Sequence, residues 1–215
     1  MIHVILCDDH ALIRRGIRDT LSDAPDIEVI GEAGDYGELR GLLHKLGPDA
    51  KIDVLVLDIN MPGRSGLDVL HVLKDDGANI RTLIVSMYPE DQYAIRALRA
   101  GAFGYVNKGG DPQVLVQAVR TVAQGRKYVT PEIAQMLVES LTAPVSEQAH
   151  QKLSDRELQT LVMIASGKRL SDIAEELMLS PKTVSVYRAR VLEKLGLANN
   201  SELTVYAIRN GLVES

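Results

Sequence analysis

Tryptophan is absent from the 215 residues, and phenylalanine and cysteine occur once each. The core must therefore be aliphatic. No internal disulfide can form, which fits a reducing cytoplasm. No apolar stretch approaches the roughly 20 residues that a membrane helix needs. The N-terminus lacks the basic and then apolar regions of a secretory signal. No membrane association is expected. The five histidines are scattered, and none pairs with the cysteine at metal-ligand spacing, so no zinc site is expected. A Gly-x-x-x-x-Gly-Lys-Ser/Thr loop is missing too, which argues against a nucleotide-hydrolysing enzyme.

What is present is an ordinary globular composition, 46% hydrophobic and 25% charged, long enough for one or two domains. The net charge of −5 is unevenly spread. Residues 150–215 hold 9 Lys and Arg against 8 Asp and Glu, a net of +1. Residues 1–149 hold 15 against 21, a net of −6. Within Ser180–Gly196, Lys182, Arg188, Arg190 and Lys194 face only Glu193. An acidic part joined to a part with one basic helix suggests two jobs.

The pattern along the chain agrees. Short apolar runs at 2–7, 27–32, 53–57, 81–86 and 103–106 read as strands. Helical periodicities lie between and after them, at about 10–23, 36–46, 66–76, 90–100 and 111–124. Asp111-Pro112 opens the last of these as N-cap and N1, and Gly125 ends it. Strands alternating with helices through short connections imply a parallel sheet covered on both faces. We therefore expect an α/β domain over 1–125, a flavodoxin-like, doubly wound, five-stranded parallel sheet of order 2-1-3-4-5. A short helix after Pro131 and a linker around Pro144 fill 126–151. From 152 to 215 the pattern is helical only, as in a small all-α domain. Ser154-Asp-Arg-Glu157 is a capping box. Ser171 is expected to cap a second helix, and Ser180-Pro181 opens a third. A fourth runs from about Ser201 to Asn210. Two short helices across a tight break make a helix-turn-helix.

Chemistry gathers at the strand ends. Asp8-Asp9 ends the first run, and Asp58 ends the third, followed by Asn60-Met61-Pro62-Gly63. A lone Asp in such a place is ordinarily a turn or helix cap. Here strands 1 and 3 are neighbours where the strand order reverses, so three carboxylates converge on one crevice. Their repulsion calls for a hard cation such as Mg²⁺, held by carboxylate and carbonyl oxygens. A free carboxylate beside it can act as a nucleophile and form an acyl phosphate. Ser86 ends the fourth strand and Lys108 follows the fifth, so a hydroxyl and an ammonium reach the same rim. A phosphoryl group needs such donors.

These residues resemble the receiver domain of bacterial two-component response regulators, over roughly 2–124. The resemblance rests on Asp8-Asp9, Asp58 with Met61-Pro62-Gly63, Ser86, and Tyr105 three residues before Lys108. It implies that Asp58 accepts phosphate from a sensor histidine kinase. Asp9, Asp58 and the Asn60 carbonyl would bind Mg²⁺, helped by Asp8. Lys108 would pair with the phosphoryl group, and Ser86 would turn towards it, letting Tyr105 swing inward as a switch. Many receivers carry proline after the lysine; Gly109 stands there instead, leaving the Lys108–Gly109 conformation open. Tyr88, two residues after Ser86, is expected to screen the phosphoryl group from water.

The third C-terminal helix carries Val184, Tyr187, Val191 and Leu195 as one apolar stripe. The opposite face is small, with basic flanks, and suits a DNA major groove. Residues 152–211 resemble the helix-turn-helix of LuxR/NarL/FixJ-type regulators in Leu153-Ser-Asp-Arg-Glu157, Ile173-Ala174, Ser180, Lys182-Thr183-Val184 and Lys194-Leu195. Many members carry His where Tyr187 stands. The resemblance makes Lys182, Thr183, Ser185, Val186, Arg188 and Ala189 the DNA-facing set. It makes the last helix, with Leu203, Tyr206 and Ala207, a dimerisation surface. It implies a cytoplasmic transcription regulator that binds promoter DNA, dimerises on activation and has RNA polymerase as a further partner. It implies no enzyme beyond self-directed phosphoryl acceptance and slow loss. Two other readings stand beside it. Phosphatases of the haloacid dehalogenase type also use an Asp nucleophile with Mg²⁺, but they need Asp-x-Asp, and Asp58-Ile59-Asn60 lacks the second acid. In a regulator working without phosphate, the acidic cluster would only stabilise the fold.

Overall fold

The computed structural model describes residues 1–78, 80–88, 90–142 and 149–213. It divides into two compact units, Met1–Thr142 and Ala143–Ser215. In the first, strands β1 (Ile2–Cys7), β2 (Ile27–Ala33), β3 (Val54–Asp58), β4 (Thr82–Ser86) and β5 (Gly104–Asn107) alternate with helices. The helices are α1 (Ala11–Ser22), α2 (Tyr36–Leu46), α3 (Gly66–Asp75), α4 (Glu90–Ala100) and α5 (Pro112–Ala123). All strand pairs are parallel, in the order β2-β1-β3-β4-β5. The expected sheet and its order are thus observed.

Period-2 alternation splits the sheet's side chains between two faces. Val4, Leu6, Val54, Val56, Leu83 and Val85 pack with Leu115, Val116, Val119 and Val122 of α5 in one aliphatic cluster. Ile5, Cys7, Leu55, Leu57 and Ile84 are equally buried on the other face. β3 is buried along its whole length, as a central strand covered on both sides must be. The order β1-β3-β4-β5 sets the C-terminal ends of four strands side by side, and Asp8, Asp58, Ser86 and Lys108 stand on that rim.

Helix ends follow the local chemistry. The Asp111 carboxylate accepts from the Gln113 N–H at 2.8 Å, ahead of Pro112 at N1. Gly125 takes a positive φ of 77° and stops α5, as its sequence position requires. A further helix, α6 (Pro131–Thr142), belongs to the first unit and runs into the segment expected to be linker. The remaining expected linker positions 143–148 lie outside the described residues.

The second unit holds a 3₁₀ turn at Ala149–Lys152 and helices α7 (Asp155–Ala165), α8 (Leu170–Glu176), α9 (Pro181–Leu195) and α10 (Asn200–Arg209). The capping box is present: Glu157 accepts from the Ser154 N–H at 2.7 Å while Ser154 Oγ accepts from the Glu157 N–H at 3.4 Å. Ser171 is not the cap expected of it. The cap lies two residues earlier, with Arg169 at N-cap and the Asp172 carboxylate accepting from the Arg169 N–H at 3.4 Å. Ser171 instead donates to that carboxylate at 3.0 Å. Likewise Asn199 caps α10, its side chain accepting from the Glu202 N–H at 3.0 Å. No helix among the described residues is long and apolar enough to cross a membrane.

Candidate functional site

Asp8 and Asp58 leave adjacent strands at equivalent heights, since Cys7 pairs with Leu57. Both carboxylates are buried, at 2% and 1% exposure. Isolated, two buried anions would cost several kcal/mol each. Lys108 relieves them: its Nζ lies 2.7 Å from Asp8 Oδ2 and 2.8 Å from Asp58 Oδ2. The lysine is delivered by β5, and its N–H donates to the Ser86 carbonyl at 2.8 Å. No cis peptide occurs among the described residues, so the Lys108–Gly109 bond is trans. Asp9 sits nearer the surface, with His10 Nδ1 2.7 Å from its Oδ1.

Burial pushes the Asp58 carboxyl up to about 6, Lys108 pulls it back, and Asp8 adds to the rise. One ammonium stands among the three carboxylates of Asp8, Asp9 and Asp58, which leaves the cluster receptive to a further cation. Asp8, Asp9, His10 and Asp58 each place one ligand atom within 4.8 Å of the others. The donors are mostly hard oxygens, the set that suits Mg²⁺. Cys7, just behind them, is no competitor. Burial and then the nearby carboxylates push its thiol up to about 12, so it stays protonated.

The loop after β3 is shaped around Asp58. Gly63 takes a positive φ of 73°, and Met61 is buried with its Sδ 3.4 Å from Cys7 Sγ. Ser65 and Asp68 form a capping box that starts α3. Gly66 then passes against the Asp58 main chain, where a Cβ would lie 2.0 Å from the Asp58 carbonyl oxygen. Ser86 is buried, and its Oγ accepts from the Tyr88 N–H at 3.2 Å. Tyr105 stands inward and fully buried, its hydroxyl donating to the Tyr88 carbonyl at 2.7 Å. Burial raises its phenol well above the usual range, only partly offset by the Ser86 hydroxyl. The Tyr88 ring stacks on Tyr93 with centroids 4.7 Å apart.

The structure thus brings Asp8, Asp9, Asp58 and Lys108 together, with Ser86 and Tyr105 joined through Tyr88. Sequence reasoning passed over His10 and Gly66. His10 follows directly on Asp8-Asp9, a local signal. The Gly66 approach has none, because a glycine at a helix start reads as conformational freedom, not contact.

In the second unit Val184 and Val191 are buried, and Tyr187 and Leu195 are half-buried. Lys182, Ser185, Val186 and Ala189 are exposed. Thr183 is half-buried, its Oγ1 2.8 Å from Ser180 Oγ. Arg188 is tied back, its Nε donating to Asn200 at 2.5 Å. A surface depression of about 340 Å³ joins Ser180, Lys182, Thr183, Val186, Tyr187 and Arg190. Arg190 is exposed and borders this depression. In α10, Leu203 and Ala207 are fully buried and so cannot meet a partner. The apolar residues it exposes are Val205 and Ile208, at 47% and 42%.

Residues 4–120 match the family described as response regulator receiver domain, and residues 151–207 match bacterial regulatory proteins, luxR family. The response regulator GacA of Pseudomonas aeruginosa is 38% identical over 216 residues, covering 100% of this chain and 99% of the relative. The response regulator UvrY of Escherichia coli is 38% identical over 220 residues, covering 99% and 96%. Among solved structures, RcsB of Salmonella enterica serovar Typhimurium, bound to promoter rprA in the presence of the phosphomimetic BeF3-, has a TM-score of 0.63 at 27% identity. It covers 95% of this chain and 97% of that one.

Proposed function

The chain belongs to the DNA-binding response regulators of two-component systems, which regulate transcription, and on that footing we propose that Asp58 is its phosphoacceptor. The observation that carries this is the buried Lys108 ammonium, 2.7 and 2.8 Å from two buried carboxylates on neighbouring strands. Such a group costs too much to be a mere strand end. Asp58 would attack the phosphorus of a phosphohistidine on a sensor kinase. The new O–P bond forms as the P–N bond breaks, and the leaving imidazole takes up a proton. Lys108 is in reach of the transferred oxygens. Asp8, Asp9 and Asp58, with the Asn60 carbonyl, would hold Mg²⁺, which when bound supplies positive charge to the carboxylates and the phosphoryl oxygens.

Ser86 and Tyr105 carry the signal outward. Ser86 Oγ holds the Tyr88 N–H, and Tyr105 holds the Tyr88 carbonyl. A hydroxyl turned towards a phosphoryl group would release the first of these bonds and reset the surface beside α4. We read residues 1–125 as receiver, 126–151 as short helix and linker, and 152–215 as the DNA-binding domain. Lys182, Thr183, Ser185, Val186 and Ala189 face promoter DNA, with Arg188 at their edge. Phosphorylation favours a homodimer on paired half-sites in the cytoplasm, where RNA polymerase is a further partner. RcsB, a relative, has been solved as two dimers bound to two parallel DNAs, which supports a dimer on DNA. The protein turns over no substrate other than its own phosphoryl group.

The test is promoter binding by wild type and Asp58→Asn, each with and without acetyl phosphate and Mg²⁺. Tighter binding and more dimer are expected only for wild type. An equal response from both proteins would refute the reading and favour a regulator working without phosphate. Multiple turnovers on small phosphate esters would favour a phosphatase instead.

A further inference from the structure

Arg14, on α1, lies six residues beyond Asp8 and has no part in the reading above. Its Nη1 donates to the main-chain carbonyl of Asp8. Its Nε donates to Glu32 Oε2 at 3.2 Å, while Arg18 Nη1 holds Glu32 Oε1 at 3.0 Å. The Asp8 N–H makes the last main-chain bond towards β2, to the Ala33 carbonyl at 3.0 Å. Beyond it the chain leaves the sheet, and the turn carrying Asp8, Asp9 and His10 needs another support. Helix capping does not provide one. α2, α3 and α5 each begin with a side chain that accepts a main-chain N–H, whereas His10, at the N-cap of α1, makes no such bond. Arg14 reaches back from the first turn of α1 and takes that place.

We propose that Arg14 is a positioning residue for the acidic site. By holding the Asp8 carbonyl it sets the peptide plane from which the Asp9 carboxylate projects, and so sets the affinity for a divalent cation. The proposal rests on the reading of Asp8, Asp9 and Asp58 as cation ligands. Two other bonds fix the Asp8 side chain: the His10 N–H donates to Oδ1 at 2.8 Å, and Lys108 lies 2.7 Å from Oδ2. The first closes a turn around the Asp8–Asp9 peptide but does not engage its carbonyl oxygen, which is the group that Arg14 holds. A guanidinium near a cation site also repels the cation, so the two effects oppose. Glu32 pairs with this guanidinium at 3.2 Å, and Arg18, which shares Glu32 at 3.0 Å, is also paired with Asp19 at 3.4 Å, so the four side chains together carry no net charge. Orientation therefore outweighs repulsion, and removing Arg14 weakens binding. A planar fork is needed to engage a carbonyl and a carboxylate together, which a lysine ammonium does poorly.

Calorimetric titration of Mg²⁺ into the full-length wild type, Arg14→Gln, Arg14→Lys and Arg18→Gln tests this, with thermal unfolding of each protein alongside. Arg14→Gln should weaken Mg²⁺ binding by about tenfold, the lower end of what outer-shell partners of a metal site contribute. Arg14→Lys should fall between it and the wild type. Arg18→Gln, which removes the other arm of the Glu32 pair but leaves the Asp8 carbonyl held, should stay within about twofold of wild type. Affinity lost at an unchanged unfolding temperature separates positioning from a general stabilising role. Arg14→Gln binding Mg²⁺ as wild type does overturns the proposal, as does an equal loss in Arg18→Gln. A wild-type protein that takes up no Mg²⁺ overturns the cation site itself, and the proposal with it.

Discussion

Gly66→Ala is the sharpest probe of the proposed acceptor site, because it adds one methyl group behind the Asp58 main chain and leaves the carboxylate and ammonium groups themselves intact. The added Cβ would lie 2.0 Å from the Asp58 carbonyl oxygen, 2.9 Å from its carbonyl carbon and 3.0 Å from Ile59 Cα. Real Cβ contacts are essentially never shorter than 3.0 Å, so the backbones must part by about 1 Å. All three neighbours are main-chain atoms, and none can rotate away. The start of α3 is pinned by the Ser65–Asp68 capping box and by the Gly66 N–H, which donates to the Ile59 carbonyl at 2.9 Å. The displacement therefore falls on Asp58, whose carboxylate sits 2.8 Å from Lys108. Misplacing a reacting group by about 1 Å costs on the order of 100-fold in rate. Overpacking of this kind costs about 1–3 kcal/mol of stability. The assay is the rate of phosphorylation by acetyl phosphate with Mg²⁺, read on phosphate-affinity gels, together with the unfolding temperature. Gly41→Ala is the control. It lies inside α2 with open space around it, and should leave the rate unchanged while stabilising by about 0.5–1 kcal/mol. Phosphorylation of Gly66→Ala within about threefold of wild type would refute the assignment of the strain to Asp58. If stability fell at the same time, α3 would be the element that yielded.

Three other perturbations follow from the same geometry. Met178 closes α8 in left-handed backbone, with φ 49°, in a position like that of Gly125 after α5. It is 68% exposed, so Met178→Gly should relieve the backbone with little loss of packing, stabilising by about 1 kcal/mol. A melt of the full chain that leaves the C-terminal unit's transition unmoved or lowered would count against this. Glu157 is buried and ion-paired with Lys194 at 2.6 Å. Burial pushes its carboxyl up, but the Lys194 and Ser154 hydrogen bonds outweigh that and hold it below the usual range. A depressed folded value means stability that is complete above about 4.3 and lost as the pH falls through the folded value. Glu157→Gln keeps the capping geometry, so it should cost about 1 kcal/mol at neutral pH, and the gap should close only below about pH 4. A gap independent of pH would assign the loss to packing. Tyr88→Ala removes the ring stacked on Tyr93 and should shorten the lifetime of the phosphorylated form. An unchanged dephosphorylation rate would show that the ring screens nothing.

Legibility in the sequence divided along a physical line. Strands ending in Asp8 and Asp58 were readable because a doubly buried strand leaves a continuous apolar run, and the first polar residue after it marks the rim. Lys108 was readable for the same reason, since strand order alone carries it to the carboxylates. What depends on contact between elements was not. Arg14 reads as one more surface charge on an amphipathic helix, and only the fold shows it holding the Asp8 carbonyl. The cap of α8 went to Ser171 because serine is the commoner cap, while an Asp at N3 supplied the bond from inside the helix.

The last helix shows why a stripe alone cannot assign a surface. Leu203, Tyr206 and Ala207 recur at helical spacing, and such a stripe fits an interface with a second chain as well as packing within its own domain. Burial decides between them. Leu203 and Ala207 are fully enclosed within the chain, which leaves Val205 and Ile208 as the apolar groups open to a second copy. Arg188 follows the same logic in reverse. Its charge and helical phase point to DNA, yet its Nε is occupied by Asn200 at the start of α10. Its terminal amino groups remain on the forked side, so any phosphate contact it makes is oriented by α10. α9, the helix proposed to face DNA, and α10, the proposed dimer helix, are therefore joined by a hydrogen bond, and what α10 packs against bears on how Arg188 is presented.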